Sequence, residues 1–140
     1  MKTLWRANIL RLGLVGAVLL AAGCAKRIRF DSLALARAGR ATARIQLTYD
    51  RNNIIQVELS NVPEPSTLNS SYTRYVLWAA TPDRKAVLNV GQLRVDENKK
   101  AEIQTLTPFR NFLLFITAEP RGDVTAPGPD VVFETKELRW

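Results

Sequence analysis

An all-β fold is predicted by three features of the sequence. Between residues 41 and 135 there are seven short segments that either alternate apolar with polar residues or run apolar without a break. Turn-forming clusters of Pro, Gly, Asn, Asp and Ser separate them. Almost nothing in this region carries the 3.6-residue apolar period of an amphipathic helix. Seven short strands at this spacing in about 100 residues point to a β-sandwich of immunoglobulin-like type, spanning residues 40–140.

The N-terminus follows a different logic. Lys2, Arg6 and Arg11 give a basic start, Leu12 to Ala22 is uncharged and apolar, and Ala21-Ala22-Gly23 are small. That sequence of regions is the pattern of a secretory signal peptide, expected over residues 1–23. The apolar run is short for a membrane span, which needs about 20 apolar residues. Leu20-Ala21-Ala22-Gly23-Cys24 resembles the lipobox of bacterial lipoproteins, and Cys24 is the only cysteine in the chain. The resemblance implies cleavage before Cys24 and acylation of its thiol. Two or more acyl chains make a stable anchor where one is marginal. The expected location is a lipid-anchored position at the cell membrane. Ala25 stands where enteric lipoproteins retained in the inner membrane carry aspartate. The resemblance therefore implies the outer membrane, facing the periplasm, in an organism that has one.

Residues 24–39 are expected to be the lipidated cysteine and a basic tether. Asp31-Ser32 is positioned to cap a short helix through Ala38, ended by Gly39. From Arg40 the period becomes two. Ala43, Ile45 and Leu47 alternate with Arg44, Gln46 and Thr48, a half-buried strand over 41–48. Asp50-Arg51-Asn52-Asn53 is a turn, and Ile55, Val57 and Leu59 alternate with Gln56 and Glu58, completing a hairpin. Pro63 to Ser71 reads as a loop. Tyr75 to Ala80 is an uninterrupted apolar run, suited to a central strand covered on both faces. Thr81-Pro82-Asp83-Arg84 is a turn, and Val87 to Val95 is a strand with a bend expected at Gly91. Asp96 to Lys99 is a polar turn before the alternating strand Ala101 to Leu106. Phe112 to Glu119 is strongly apolar. Pro120 to Asp130 holds three prolines and two glycines and reads as a loop before the last strand, Val131 to Thr135.

The net charge of +7 invites a nucleic-acid reading, and its distribution argues against one. Three of the 20 basic residues lie in the signal. Six more, Lys26, Arg27, Arg29, Arg37, Arg40 and Arg44, face only Asp31 among the acids of that stretch. From Ile45 onward, 11 basic residues meet 12 acidic ones. The excess therefore belongs to export and to the segment beside the membrane. There it reads either as a solvated spacer or as a contact to anionic headgroups, at about 1 kcal/mol per residue.

Tyr75-Val76-Leu77-Trp78, Val90-Gly91-Gln92-Leu93, and Ile116-Thr117-Ala118-Glu119-Pro120 with Pro127-Gly128-Pro129 and Val131 resemble the extracytoplasmic domain of the anti-sigma-K factor family. The likeness covers nearly 60 residues. It implies an immunoglobulin-like sandwich outside the cytoplasm and, as an alternative function, a sensor or regulatory module. Members of that family join such a domain through a transmembrane helix to a cytoplasmic sigma-binding domain. Neither is expected in this sequence.

The chain has no histidine. With Cys24 acylated, no thiol nucleophile, Ser-His triad or zinc site of nitrogen and sulfur ligands is expected. No cofactor or metal is implied. Asp96-Glu97 and Asp123 with Asp130 are the nearest carboxylate pairs, and no surrounding motif makes either catalytic. The chain is expected to be a non-catalytic binding module that contacts an envelope protein or polymer. Tyr72, Arg74, Tyr75 and Trp78 are the candidate interaction surface, since Tyr, Trp and Arg are enriched at interfaces. Trp78 has a second reading, as filling of the sandwich core. Phe109, Phe112 and Phe115 are expected in or near that core. The loops 61–74 and 120–130 are the expected variable surfaces.

Overall fold

The computed structural model describes residues 25–139. The expected signal peptide, Cys24 and Trp140 lie outside the described residues. Ten strands form two antiparallel sheets. They are β1 (Lys26–Arg29), β2 (Asp31–Ser32), β3 (Arg40–Leu47), β4 (Asn53–Ser60), β5 (Arg74–Ala80), β6 (Val87–Leu93), β7 (Lys100–Thr107), β8 (Asn111–Glu119), β9 (Val131–Glu134) and β10 (Leu138–Arg139). A single 3-10 turn covers Ala34–Ala36, and one helical turn, α1, covers Pro65–Leu68. Sheet one has the order β1-β3-β4-β7. Sheet two has the order β2-β9-β8-β5-β6, with β10 also on β8. No helix of the described residues is long and apolar enough to cross a membrane.

All seven expected strands are present, as β3 to β9. Period-two burial explains the first sheet. Ala41, Ala43, Ile45, Ile55, Val57 and Leu59 are buried against sheet two, and their neighbours along each strand face out. Leu47 keeps its expected inward parity, level with the buried Asn53 and Thr107, yet it is 53% exposed at the end of β3. The bend at Gly91 is a β-bulge. Leu77 pairs with Gly91 and Trp78 with Asn89, which leaves Val90 as the extra residue. Gly91 has φ +147°, a backbone conformation that side chains rarely adopt, and a Cβ there would also oblige the half-buried Ile103 side chain to shift.

The expected tether is part of the sandwich. Lys26–Arg29 pairs with Thr42–Ile45 of β3, and Asp31 and Ser32 pair with Glu134 and Phe133 of β9. One segment thus closes an edge of each sheet, crossing between them at Phe30, which is 7% exposed. Ala36 is buried as well. The expected helix shrinks to the 3-10 turn, since Leu33 N–H bonds Val132 O of the sheet at 2.9 Å. The signal was present in Arg27-Ile28-Arg29-Phe30, which alternates with period two. Its charges masked it, and charged residues are common on edge strands because they discourage pairing with other chains.

The two ends of the sandwich differ. At one end lie the β3–β4 hairpin turn, the short β7–β8 connection and the entry of the chain, since Lys26 stands opposite Ile45 and Asn53 opposite Thr107. At the other end lie the long connections 61–73 and 120–130, because Ser60 pairs with Lys100 and Arg74 with Glu119.

Candidate functional site at the loop end

The two long loops are joined at this end. Beyond β4 the chain turns at Asn61 (φ +55°), and Val62 is buried, its N–H bonded to Lys99 O at 3.2 Å. Pro65 opens α1, where its missing N–H costs nothing. The Tyr72 hydroxyl then donates to the Asp130 carboxylate. Thr73 binds the end of β8 through N–H to Glu119 O at 2.9 Å and the other loop through Oγ1 to Pro120 O at 2.7 Å. The Tyr75 hydroxyl donates to Pro63 O at 2.9 Å and ties the first loop to the sheet beneath it.

A second set of bonds folds the 120–130 loop over the outer face of sheet two. Trp78 Nε1 donates to Thr117 Oγ1 at 2.8 Å, and Thr117 donates in turn to Glu119 Oε1 at 2.6 Å. Gly128 N–H donates to the same oxygen at 2.7 Å. Glu119 is only 4% exposed, and these donors offset the cost of withdrawing its carboxyl from water. A Cβ on Gly128 would stand 3.0 Å from Glu119 Oε2, so the loop approaches as closely as glycine permits. Asn89 adds two bonds from its amide, to Gly122 O at 2.9 Å and Val124 O at 2.8 Å.

The folded loop produces a second apolar cluster outside the sandwich core. Val76, Trp78, Ala80, Leu113 and Phe115 form it, with Val87, Val124 and Val131 packed against them. Trp78 and Phe115 are cross-strand neighbours with ring centroids 6.2 Å apart and planes inclined by 15°. The Arg84 guanidinium lies 4.8 Å over the Phe115 ring and pairs with Glu134. Thus Trp78 points away from the sandwich core yet is fully buried. Neither the core reading nor the contact-patch reading places it there.

The candidate interaction residues therefore separate. Tyr75 and Trp78 are both buried completely and offer no surface to a partner. Tyr75 faces the core beside Leu77 and Ala79, as the inward parity of β5 dictates. Tyr72 and Arg74 remain half-buried at the loop end, and Arg74 bonds Thr73 O at 2.7 Å. Phe112 is in the main core, Phe115 in the second cluster, and Phe109 half-buried at the rim.

Burial, with a smaller effect from the nearby Glu64 charge, pushes the Tyr75 hydroxyl up from 10.0 to about 12. The folded form binds this proton more tightly than the unfolded chain does. Its stabilising effect is complete below pH 10 and is lost as pH rises toward 12. Stability measured by urea unfolding across that interval is expected to fall, and Tyr75→Phe should flatten the fall. An equal fall in both proteins would assign it to other groups.

The acidic pairs have structural partners. Asp96 Oδ1 accepts the N–H groups of Asn98 at 2.9 Å and Lys100 at 2.8 Å, closing its turn, and Glu97 is exposed beside it. Asp123 pairs with Arg121 at 3.1 Å, while Asp130 accepts from Tyr72. An open groove of about 890 Å³ lies at the loop end of sheet one, where Arg29, Arg40, Arg94 and Lys100 are interleaved with Glu58 and Glu102. Its charges are mixed rather than convergent. Among the described residues, no group of three or more His, Cys, Asp or Glu side chains is placed to hold a metal ion.

Comparison with family models, curated proteins and solved structures finds no match to the chain.

Proposed function

We propose that this chain is a lipid-anchored cell-envelope protein whose immunoglobulin-like sandwich acts as a non-catalytic binding module. The observation that carries the reading is the separation of the two ends. The described chain enters the sandwich next to the β3–β4 hairpin, two residues after Cys24, while the joined loops lie at the opposite end. An anchor on Cys24 would hold the loops away from the membrane, where a partner reaches them. The immunoglobulin-like assignment is supported by connectivity. β4 passes to β5 in the other sheet, β5–β6 form a hairpin, β7 returns beside β4, and β8 crosses again to lie beside β5. Binding at the loop end is supported by its rigid frame, since loops held by a scaffold carry recognition at low entropic cost.

Cys24→Ser is expected to move the protein out of the membrane fraction or to leave it uncleaved, read by fractionation and by the mass of the mature chain. A Cys24→Ser protein that matures normally and stays membrane-bound sinks the anchor. For the binding module, a photo-crosslinker is placed at Ser66 or Thr125 of the loop end in living cells. Reproducible capture of one envelope protein or polymer from both positions is expected. Capture of lipid alone from both positions contradicts the reading.

A further inference from the structure

We infer that the end of the sandwich opposite the loops is a docking surface for an anionic lipid bilayer, held by an apolar tip and an arginine row above it. The inference rests on the anchor proposed above and adds an orientation to it.

The three most exposed large apolar residues among the described residues lie at this end. Tyr49, in the β3–β4 turn, is fully exposed, and Leu47 and Leu106 are 53% and 55% exposed. Leu106 stands opposite Ile54, which stands opposite Gln46, so these residues form one row across the outer face of sheet one. The next row toward the middle of the sheet runs Arg27, Arg44, Gln56, Gln104. Successive outward rows are about 7 Å apart. Apolar and aromatic groups at the tip, with guanidiniums about 7 Å above, match the sequence of acyl boundary and phosphate layer in a bilayer. Arg51 and Arg110 flank the tip. Arg27, Arg44, Arg51 and Arg110 make no ion pair among the described residues. Of the acids at this end, Asp50 in the β3–β4 turn is occupied by hydrogen bonds from Thr48 and Asn52, and Asp83 in the β5–β6 turn pairs with Lys85 at 3.7 Å. Glu137, near the same end, pairs with Arg139 at 2.9 Å.

The length of chain outside the sandwich makes the occupant a membrane. Two residues reach at most about 7 Å. With β1 beginning at Lys26, acyl chains on Cys24 must enter the bilayer close to Ile45 and the hairpin, and no spacer remains to lift this end off the headgroups.

The test uses the full chain as cells process it, reconstituted in vesicles of phosphatidylethanolamine and phosphatidylglycerol. Because Cys24 is the only native cysteine, Gln46→Cys or Ser66→Cys provides a single free thiol for a nitroxide. Collision rates with oxygen and with an aqueous nickel chelate read each position. Position 46 is expected at the lipid boundary and position 66 in water. Arg27→Gln with Arg44→Gln should weaken docking roughly 30-fold, and replacing the anionic lipid by phosphatidylcholine, which removes the attraction of all four arginines, should weaken it by more. Equal aqueous exposure at both positions overturns the inference, as does contact at position 46 indifferent to anionic lipid. The mass of the same sample separates the two readings. Acylated protein with position 46 in water retires the docking surface and keeps the anchor. Lipid contact without acylation retires the anchor and keeps the surface.

Discussion

Trp78→Ala is expected to lower the free energy of unfolding by about 3–5 kcal/mol, the range for removing a large buried aromatic side chain. The indole is fully buried between sheet two and the 120–130 loop, stacks on Phe115, and begins the chain of bonds through Thr117 and Glu119 to Gly128. Its loss leaves a cavity beneath the loop and an unpaired acceptor on Thr117. The damage should be local first. The loop has no strand pairing of its own, so proteolytic nicking between Pro120 and Asp130 should appear before global unfolding. Trp78→Phe separates packing from hydrogen bonding, because it keeps a ring against Phe115 and loses the N–H. It should cost less, with about 1 kcal/mol from the missing bond. Urea unfolding followed by circular dichroism gives both values. A Trp78→Ala protein within about 1 kcal/mol of the wild type would mean that the second cluster contributes little and that the loop is held by other contacts.

The second large effect concerns Phe30. Phe30→Ala is expected to cost about 3 kcal/mol, toward the lower end of the range because the ring retains slight exposure. A tether would show no such effect. The residue stands where the chain leaves β1 of one sheet for β2 of the other, with its N–H on Ala41 O at 3.0 Å. Losing the ring should therefore loosen both edges together. Hydrogen exchange should show the amides of Ile28 and Leu33 losing protection in the variant while those of β5 and β8 keep theirs. Unchanged stability, with exchange at Ile28 already fast in the wild type, would return residues 25–33 to the status of a spacer. The consequence reaches the proposed function, because a spacer would leave the sandwich free to tumble at the membrane and a paired strand fixes which end faces it.

The sequence by itself determined the all-β class and the positions of the seven strands from β3 to β9. Alternation at Ala43 and Ile45 or at Ile55 and Val57 is a local property, set by the two-residue period of a pleated strand with one face in water. The glycine at position 91 likewise announced a bend, because few other residues accept its conformation. The joining of the loops 61–74 and 120–130 was partly legible, as both were marked as loops, but not their meeting. Tertiary structure decided three matters. It placed residues 26–32 in the sheets, where pairing with β3 and β9 outweighs a charge density that reads locally as a spacer. It buried Trp78 on the outside of a sheet, since a face that points outward stays exposed only until a distant loop covers it. It removed Tyr75 and Trp78 from the candidate surface while leaving Tyr72 and Arg74 at its edge. Burial depends on contacts between residues far apart in the chain, such as Thr117 with Trp78 and Glu119 with Gly128, and no local pattern encodes which segment will cover which face.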